Sequence, residues 1–189
     1  MGDRFGWGNI TWGLGREDSS SICSKHGLIQ CKVVHRTYFT NARLSKIYKY
    51  VSSNCDRCHQ APADLIHLLW VCPSLFNFWT MIFNTLSEIL GRKLDPNPFS
   101  ALFGVSASLP SLSLSQKNVI ALTTLLARRL ILMKWKSPAP LSHTHWIWNV
   151  LYFLKLEKIR LSLQGRSNVF VKVWGPFHKY IKKFSDIPT

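Results

Sequence analysis

The chain has 189 residues, 47% of them hydrophobic, and its 24 Lys and Arg outnumber 9 Asp and Glu to leave a formal net charge of +15. The apolar fraction is enough to bury a sizeable core and excludes a chain disordered throughout, while the charge exceeds what solubility needs and points to a polyanionic partner. Five cysteines, an odd number, exclude a fully paired disulfide scaffold and fit a reducing intracellular setting, nucleus or cytoplasm.

Residues 1–24 are rich in Gly, Ser and Trp without a period and read as an irregular leader. Asp3, Arg4 and the lack of an apolar core there exclude a secretory signal. From Leu28 the residues Leu28, Cys31, Val34 and Tyr38 recur at helical spacing, which predicts a first helix from about Gly27 to Phe39 with Cys31 facing the core. Thr40 or Asn41 caps a second, short helix whose Leu44, Ile47 and Tyr48 pack on the first. Residues 52–63 read as a loop, and the chain turns helical again over Leu65 to Trp70.

Pro73 suits the first turn of a helix through Phe76, Trp79, Phe83, Leu86 and Leu90, which Gly91 terminates. Residues 25–94 then form one helical module. The Pro- and Ser-rich stretch 95–114 reads as a linker, and 115–185 as a basic helical tail. That tail holds a helix from Ser115 to about Lys136, a second from His143 to Gln164 closed by Gly165, and a third whose Phe170, Val173, Trp174, Phe177, Ile181 and Phe184 share one face across Pro176. No repeat and no sheet-like alternation is visible, so the predicted class is mainly α with little or no sheet. The apolar run Val119 to Met133 is too short to span a bilayer and is broken by Thr123, Thr124, Arg128 and Arg129; a core helix is expected, with no membrane insertion.

The chemistry-bearing pattern is Cys55-x2-Cys58-x8-His67-x4-Cys72. A Cys-x2-Cys turn lets two thiolates reach one ion, and a His and a Cys at the start and exit of a helical turn complete four ligands. With all four positions filled by protein, no site remains for water or substrate, so one structural Zn2+ is expected rather than a catalytic one. His59 is a rival ligand, awkwardly placed beside Cys58. The competing explanations are a redox Cys-x-x-Cys, which wants a strand before it and lacks one here, and unrelated core thiols with a core histidine.

Around these ligands the residues resemble the zinc-binding region at the C-terminus of LINE-class, non-LTR retrotransposon reverse transcriptases. The resemblance rests on Gln30-Cys31-Lys32-Val33-Val34-His35-Arg36, Ala42-Arg43-Leu44, Cys55-Asp56-Arg57-Cys58 and Leu65-Ile66-His67-Leu68-Leu69-Trp70-Val71-Cys72-Pro73. Ala127-Arg128-Arg129-Leu130-Ile131-Leu132 and Leu156-Glu157-Lys158-Ile159-Arg160 are similar to the distal tail of the same polyproteins. The resemblance implies that Cys55, Cys58, His67 and Cys72 hold the zinc and that the chain assists a reverse transcriptase domain by binding RNA, with DNA as the alternative strand.

Polymerase and nuclease chemistry needs clustered carboxylates, and the only adjacent acidic pair is Glu17-Asp18, so the chain is expected to be non-catalytic by itself and to take no small-molecule substrate. Residues 128–189 carry 12 basic and 2 acidic residues, which places the phosphate contacts on Arg128, Arg129, Lys134 and Lys136, with Arg57 beside the zinc loop. Tyr48, Trp70 and Trp79 are candidates for stacking on unpaired bases, although core packing is the commoner use of such residues. Two other readings fit the same residues: a protein-interaction module that docks on a polymerase, and a retrotransposon-derived remnant without activity.

Overall fold

The structure is a computed structural model that describes residues 24–60, 62–104 and 112–185. Residues 1–23 of the expected leader 1–24 lie outside the described residues, and so do residues 105–111; Ser24 already belongs to the first helix. The fold is mainly α, with no strand among the described residues: α1 (Ser24–Val34), α2 (Asn41–Leu44), a π turn (His67–Val71), a 3-10 turn (Pro73–Leu75), α3 (Phe76–Leu90), α4 (Pro98–Phe103), α5 (Leu114–Met133), α6 (His143–Leu163) and α7 (Ser167–Ser185).

Helix α5 is the axis of the core. It begins at a reciprocal capping box, in which the Gln116 amide donates to Ser113 Oγ and the Ser113 amide to Gln116 Oε1. Val119, Ile120, Leu122 and Leu125 through Arg128 are buried, since α1, α4, α6, α7 and the π turn all pack against α5. Thr123 and Thr124 do not interrupt this burial: each hydroxyl donates to the carbonyl four residues back, at 2.6 and 2.8 Å, so neither carries an unmet hydrogen bond inside. No helix among the described residues is long and apolar enough to cross a membrane.

The flanking helices each give α5 one face. Trp146, Val150, Leu154 and Leu161 of α6 point inward, and the Trp146 indole donates to the Thr123 carbonyl at 3.0 Å. On α7, Phe170, Val173, Trp174 and Phe177 are buried, with Pro176 inside the helix. Helix α3 buries Phe78, Trp79, Ile82, Phe83, Leu86 and Ile89 and ends on Gly91 at φ 62°, a left-handed cap that a glycine adopts without strain. Phe76, expected on that inner face, is 71% exposed.

Several sequence-based expectations change. The stretch 95–114 is not a plain linker: Asn97 caps α4, whose Ser100, Ala101, Leu102 and Phe103 are buried against α5 and α1. Proline and asparagine in this stretch start a helix rather than a tether. The first helix ends at Val34, so the expected span to Phe39 is too long, and Cys31 is exposed rather than in the core. Ile47 and Tyr48 are likewise 57% and 46% exposed instead of packed on α1.

Candidate metal centre

Cys55, Cys58, His67 and Cys72 converge although 17 positions separate the first from the last, and their ligand atoms all lie within 4.8 Å of one another. Cys55 and Cys58 sit on a tight turn in which the His59 amide donates to the Cys55 carbonyl at 2.8 Å and the Cys55 amide to the Gln60 carbonyl at 2.9 Å. His59 closes this turn at φ 59°, a left-handed conformation that costs a non-glycine residue energy, and it stands outside the ligand cluster. Asn41 at the start of α2 anchors the turn from outside, its amide donating to the Asn54 carbonyl at 2.8 Å and to Asp56 Oδ2 at 3.1 Å.

His67 and Cys72 are brought together by the π turn. Five residues apart on an α-helix, they would point about 140° away from each other. Here the Cys72 amide donates to the His67 carbonyl at 3.0 Å, an i+5 ring that widens the turn and carries Cys72 back over His67. Asp64 starts the turn by accepting from the His67 amide at 2.7 Å. The widened turn leaves the Leu68 and Leu69 carbonyls without helical partners. The Arg57 guanidinium donates to the Leu68 carbonyl, and the Trp79 indole of α3 donates to that of Leu69 at 2.9 Å.

The spacing of the ligand atoms fits a four-coordinate ion. A tetrahedron with metal–sulfur bonds of about 2.3 Å has sulfur–sulfur edges of about 3.8 Å. Cys55 Sγ and Cys72 Sγ are 3.9 Å apart, far from a disulfide, and Cys58 Sγ lies 3.2 Å from His67 Nε2. Cys55, His67 and Cys72 are buried and Cys58 half-buried.

The electrostatics point the same way. Burial raises the Cys55 thiol, but the backbone amides of Cys58 and Arg57 and the neighbouring Cys58 and Cys72 sulfurs outweigh it, and the net direction is down. Burial pushes Cys58 up to about 11, against the Gln60 amide and reinforced by Cys72 and Cys55. Burial also lowers His67, with Arg57 adding to the fall and Asp64 opposing it, which keeps the imidazole neutral and able to ligate.

Arg57 supplies an independent test of fit. It is only 8% exposed, and its Nε and Nη1 have no hydrogen-bond partner. The ion pairs Lys93–Asp95 and Glu157–Arg160 lie elsewhere, so no carboxylate among the described residues pairs with it. A buried unpaired cation is costly. Three thiolates, a neutral imidazole and a divalent ion together carry one negative charge, and this is the counter-charge that the guanidinium lacks.

The expected phosphate contacts fare unevenly. Arg57 is committed to the metal loop and is not a surface cation. Arg128 is 1% exposed, donating to the Ala101 carbonyl at 2.6 Å and to Gln30 Oε1 at 2.7 Å, so it ties α5 to α4 and α1 and is not available to a phosphate. Helical periodicity puts position 128 on the inward face of α5, and a basic side chain there reads as surface only if its neighbours are ignored. Arg129 is half-buried, donates to Asn149 Oδ1 at 3.1 Å and lies over the Phe153 ring at 5.7 Å. Lys134 is half-buried and Lys136 exposed. Of the stacking candidates, Trp79 is buried and Trp70 half-buried against it, with ring centroids 5.8 Å apart, which leaves Tyr48 at the surface. Sequence reading missed Asp64 and Asn41, whose positions just before the second ligand pair and at a helix start were the available signals.

No protein-family model matches the chain.

Proposed function

We propose that the chain is a zinc-containing nucleic-acid-binding module of the kind that its resemblance to the tail of non-LTR retrotransposon reverse transcriptases implies, non-catalytic by itself and acting on RNA. Zinc is the ion assigned to the Cys3His set because closed tetrahedral sites with thiolate and imidazole ligands are its usual structural mode, and a soft, buried donor set with no open position disfavours oxygen-seeking ions. Its role is to hold a polar loop in one shape.

The observation that carries the binding reading is cation excess without neutralisation. With 24 basic and 9 acidic residues in the chain, the described residues form two ion pairs, Lys93–Asp95 and Glu157–Arg160. Among the described residues, the exposed lysines Lys155, Lys158 and Lys179 of α6 and α7 have no carboxylate partner. Lys158 and Lys182 both bear on His178, after burial the causes that lower its pKa, a repulsion between cationic groups of α6 and α7. Phosphates relieve such repulsion.

A second reading, docking onto a polymerase or another protein, is supported by the outer face of α6, where Trp148, Tyr152, Ile159 and Leu163 are 66%, 59%, 57% and 84% exposed. Affinity of the zinc-loaded chain for RNA across a range of salt separates the two. Five neutralised phosphates give a log–log slope of about 3 to 4 in magnitude on a single strand. Binding no tighter than that of a neutral protein, or independent of salt, overturns the nucleic-acid reading, and metal analysis giving well under half an equivalent of zinc overturns the metal assignment.

A further inference from the structure

Between α1 and the first metal ligand the chain is unusual in what it leaves on the surface. From Ser24 to Asn54 there is no Asp or Glu. Around α2, Phe39, Tyr48 and Tyr50 are 58%, 46% and 86% exposed, and Arg43, Lys46 and Lys49 are exposed among them. Rings of this size normally go to the core, which here is already filled by Trp79, Trp146, Phe83 and Phe177. The rings are paired with one another and with cations: Tyr48 and Tyr50 have centroids 5.7 Å apart, tilted by 37°, and the Arg43 guanidinium lies 5.1 Å from the centroid of Phe39. Among the described residues, none of the three cations is in an ion pair.

We infer that the surface of residues 39–50 is a stacking platform for the unpaired bases of a single-stranded nucleic acid, with Tyr48, Tyr50 and Phe39 receiving base faces and Arg43, Lys46 and Lys49 the intervening phosphates. This rests on the polyanion-binding reading above and adds where the strand lies and why it must be unpaired. Exposed aromatic faces gain nothing from a duplex, whose bases are already stacked, whereas alternating rings and cations match the base and phosphate repeat of a single strand. A purely electrostatic surface has no use for the rings, and a purely apolar protein contact has none for three cations.

The metal loop holds this platform in place. Asn41 of α2 reaches Asn54 and Asp56, the Ala42 amide donates to the Ala63 carbonyl at 3.3 Å, and the Ala63 amide donates to the Ser53 carbonyl at 2.8 Å. Residues 40–50 are therefore fastened to both ends of the loop that carries Cys55 and Cys58. That gives a structural ion, remote from any reaction, a reason to sit beside a binding surface.

The test compares the zinc-loaded full chain with its Tyr48→Ala/Tyr50→Ala variant, on a labelled oligouridylate strand and on inorganic polyphosphate of similar charge. Both tyrosines are exposed, so metal content and melting temperature of the variant should match wild type and establish that it folds. The expected result is at least a tenfold loss of affinity for the strand, unchanged affinity for polyphosphate, and recovery of strand binding in Tyr48→Phe/Tyr50→Phe. Equal strand binding by wild type and the alanine variant, or a parallel loss on polyphosphate, overturns the stacking platform while leaving the polyanion reading intact. Wild type that binds neither probe overturns both.

Discussion

At the scale of single residues, the metal loop combines a cation without a counter-ion and a strained turn, and each yields a prediction. Arg57 sits buried with two unsatisfied nitrogens beside a ligand set that turns anionic on loading. Arg57→Met, which keeps the apolar stem and removes the charge, is expected to weaken metal affinity 10- to 100-fold, the range seen for groups just outside a ligand set, as read by competition with a chromogenic chelator. Affinity equal to wild type means the guanidinium serves the Leu68 carbonyl alone. His59, at φ 59°, occupies a conformation that glycine takes freely. His59→Gly is expected to raise stability by about 1 kcal/mol in chemical denaturation with metal stoichiometry unchanged. A fall in bound metal would make His59 a ligand after all. The clustering of Cys55, Cys58, His67 and Cys72 was legible in the sequence because a short-range pair and a second pair within 18 positions leave few alternatives. The identity of Arg57 as a buried group was not, since nothing local marks an arginine between two ligands as inward-facing until the π turn presents the Leu68 carbonyl to it.

At the scale of elements, most helices followed from periodicity and caps, and the departures have specific causes. The Ser113 capping box shifts the start of α5 by a residue or two from the expected Ser115. The stretch Leu65 to Trp70 was expected as ordinary helix; the π turn over His67–Val71, which brings His67 and Cys72 together, is not encoded in periodicity. Helix α4 was missed because six residues are too few for a periodic signal. Its close seating on α5 is measurable at Gly104, which has φ 68° and where an added Cβ would fall 2.8 Å from Ala121 Cα. Gly165, at the same φ, has nothing within 4 Å of that position. Gly165→Ala should therefore cost only the left-handed strain, about 1 kcal/mol, whereas Gly104→Ala adds a backbone clash between α4 and α5 and should cost about 2 to 4 kcal/mol. Thermal melts of the two variants side by side check this. Equal losses would mean that α4 does not press against α5.

At the scale of the whole molecule, the sequence suggests two modules and a tether, but the buried residues from Val33 to Phe177 form one continuous cluster. Composition misled here because a break in hydrophobic patterning between residues 95 and 114 resembles a boundary, while long-range packing is invisible to any local window. Helix α5 belongs to both halves: α6 and α7 cover it from the C-terminal side, α1 and α4 from the N-terminal side, and the Arg128 guanidinium donates to Ala101 and Gln30 of the latter. A fragment of residues 112–185 would thus expose the face of α5 that α1 and α4 cover and leave the Arg128 guanidinium without its two acceptors. Each large apolar side chain so exposed costs about 1.5 to 3 kcal/mol, and a few together are a large part of the stability of an ordinary domain. The fragment is expected to show no cooperative thermal transition by circular dichroism, while the zinc-loaded full chain melts in a single step. Two separate transitions in the full chain, one matching that of the isolated fragment, would restore the two-module organisation. A single transition places the metal loop, the cationic helices and the aromatic surface on one folding unit, so that loss of the ion would be felt as far as α7.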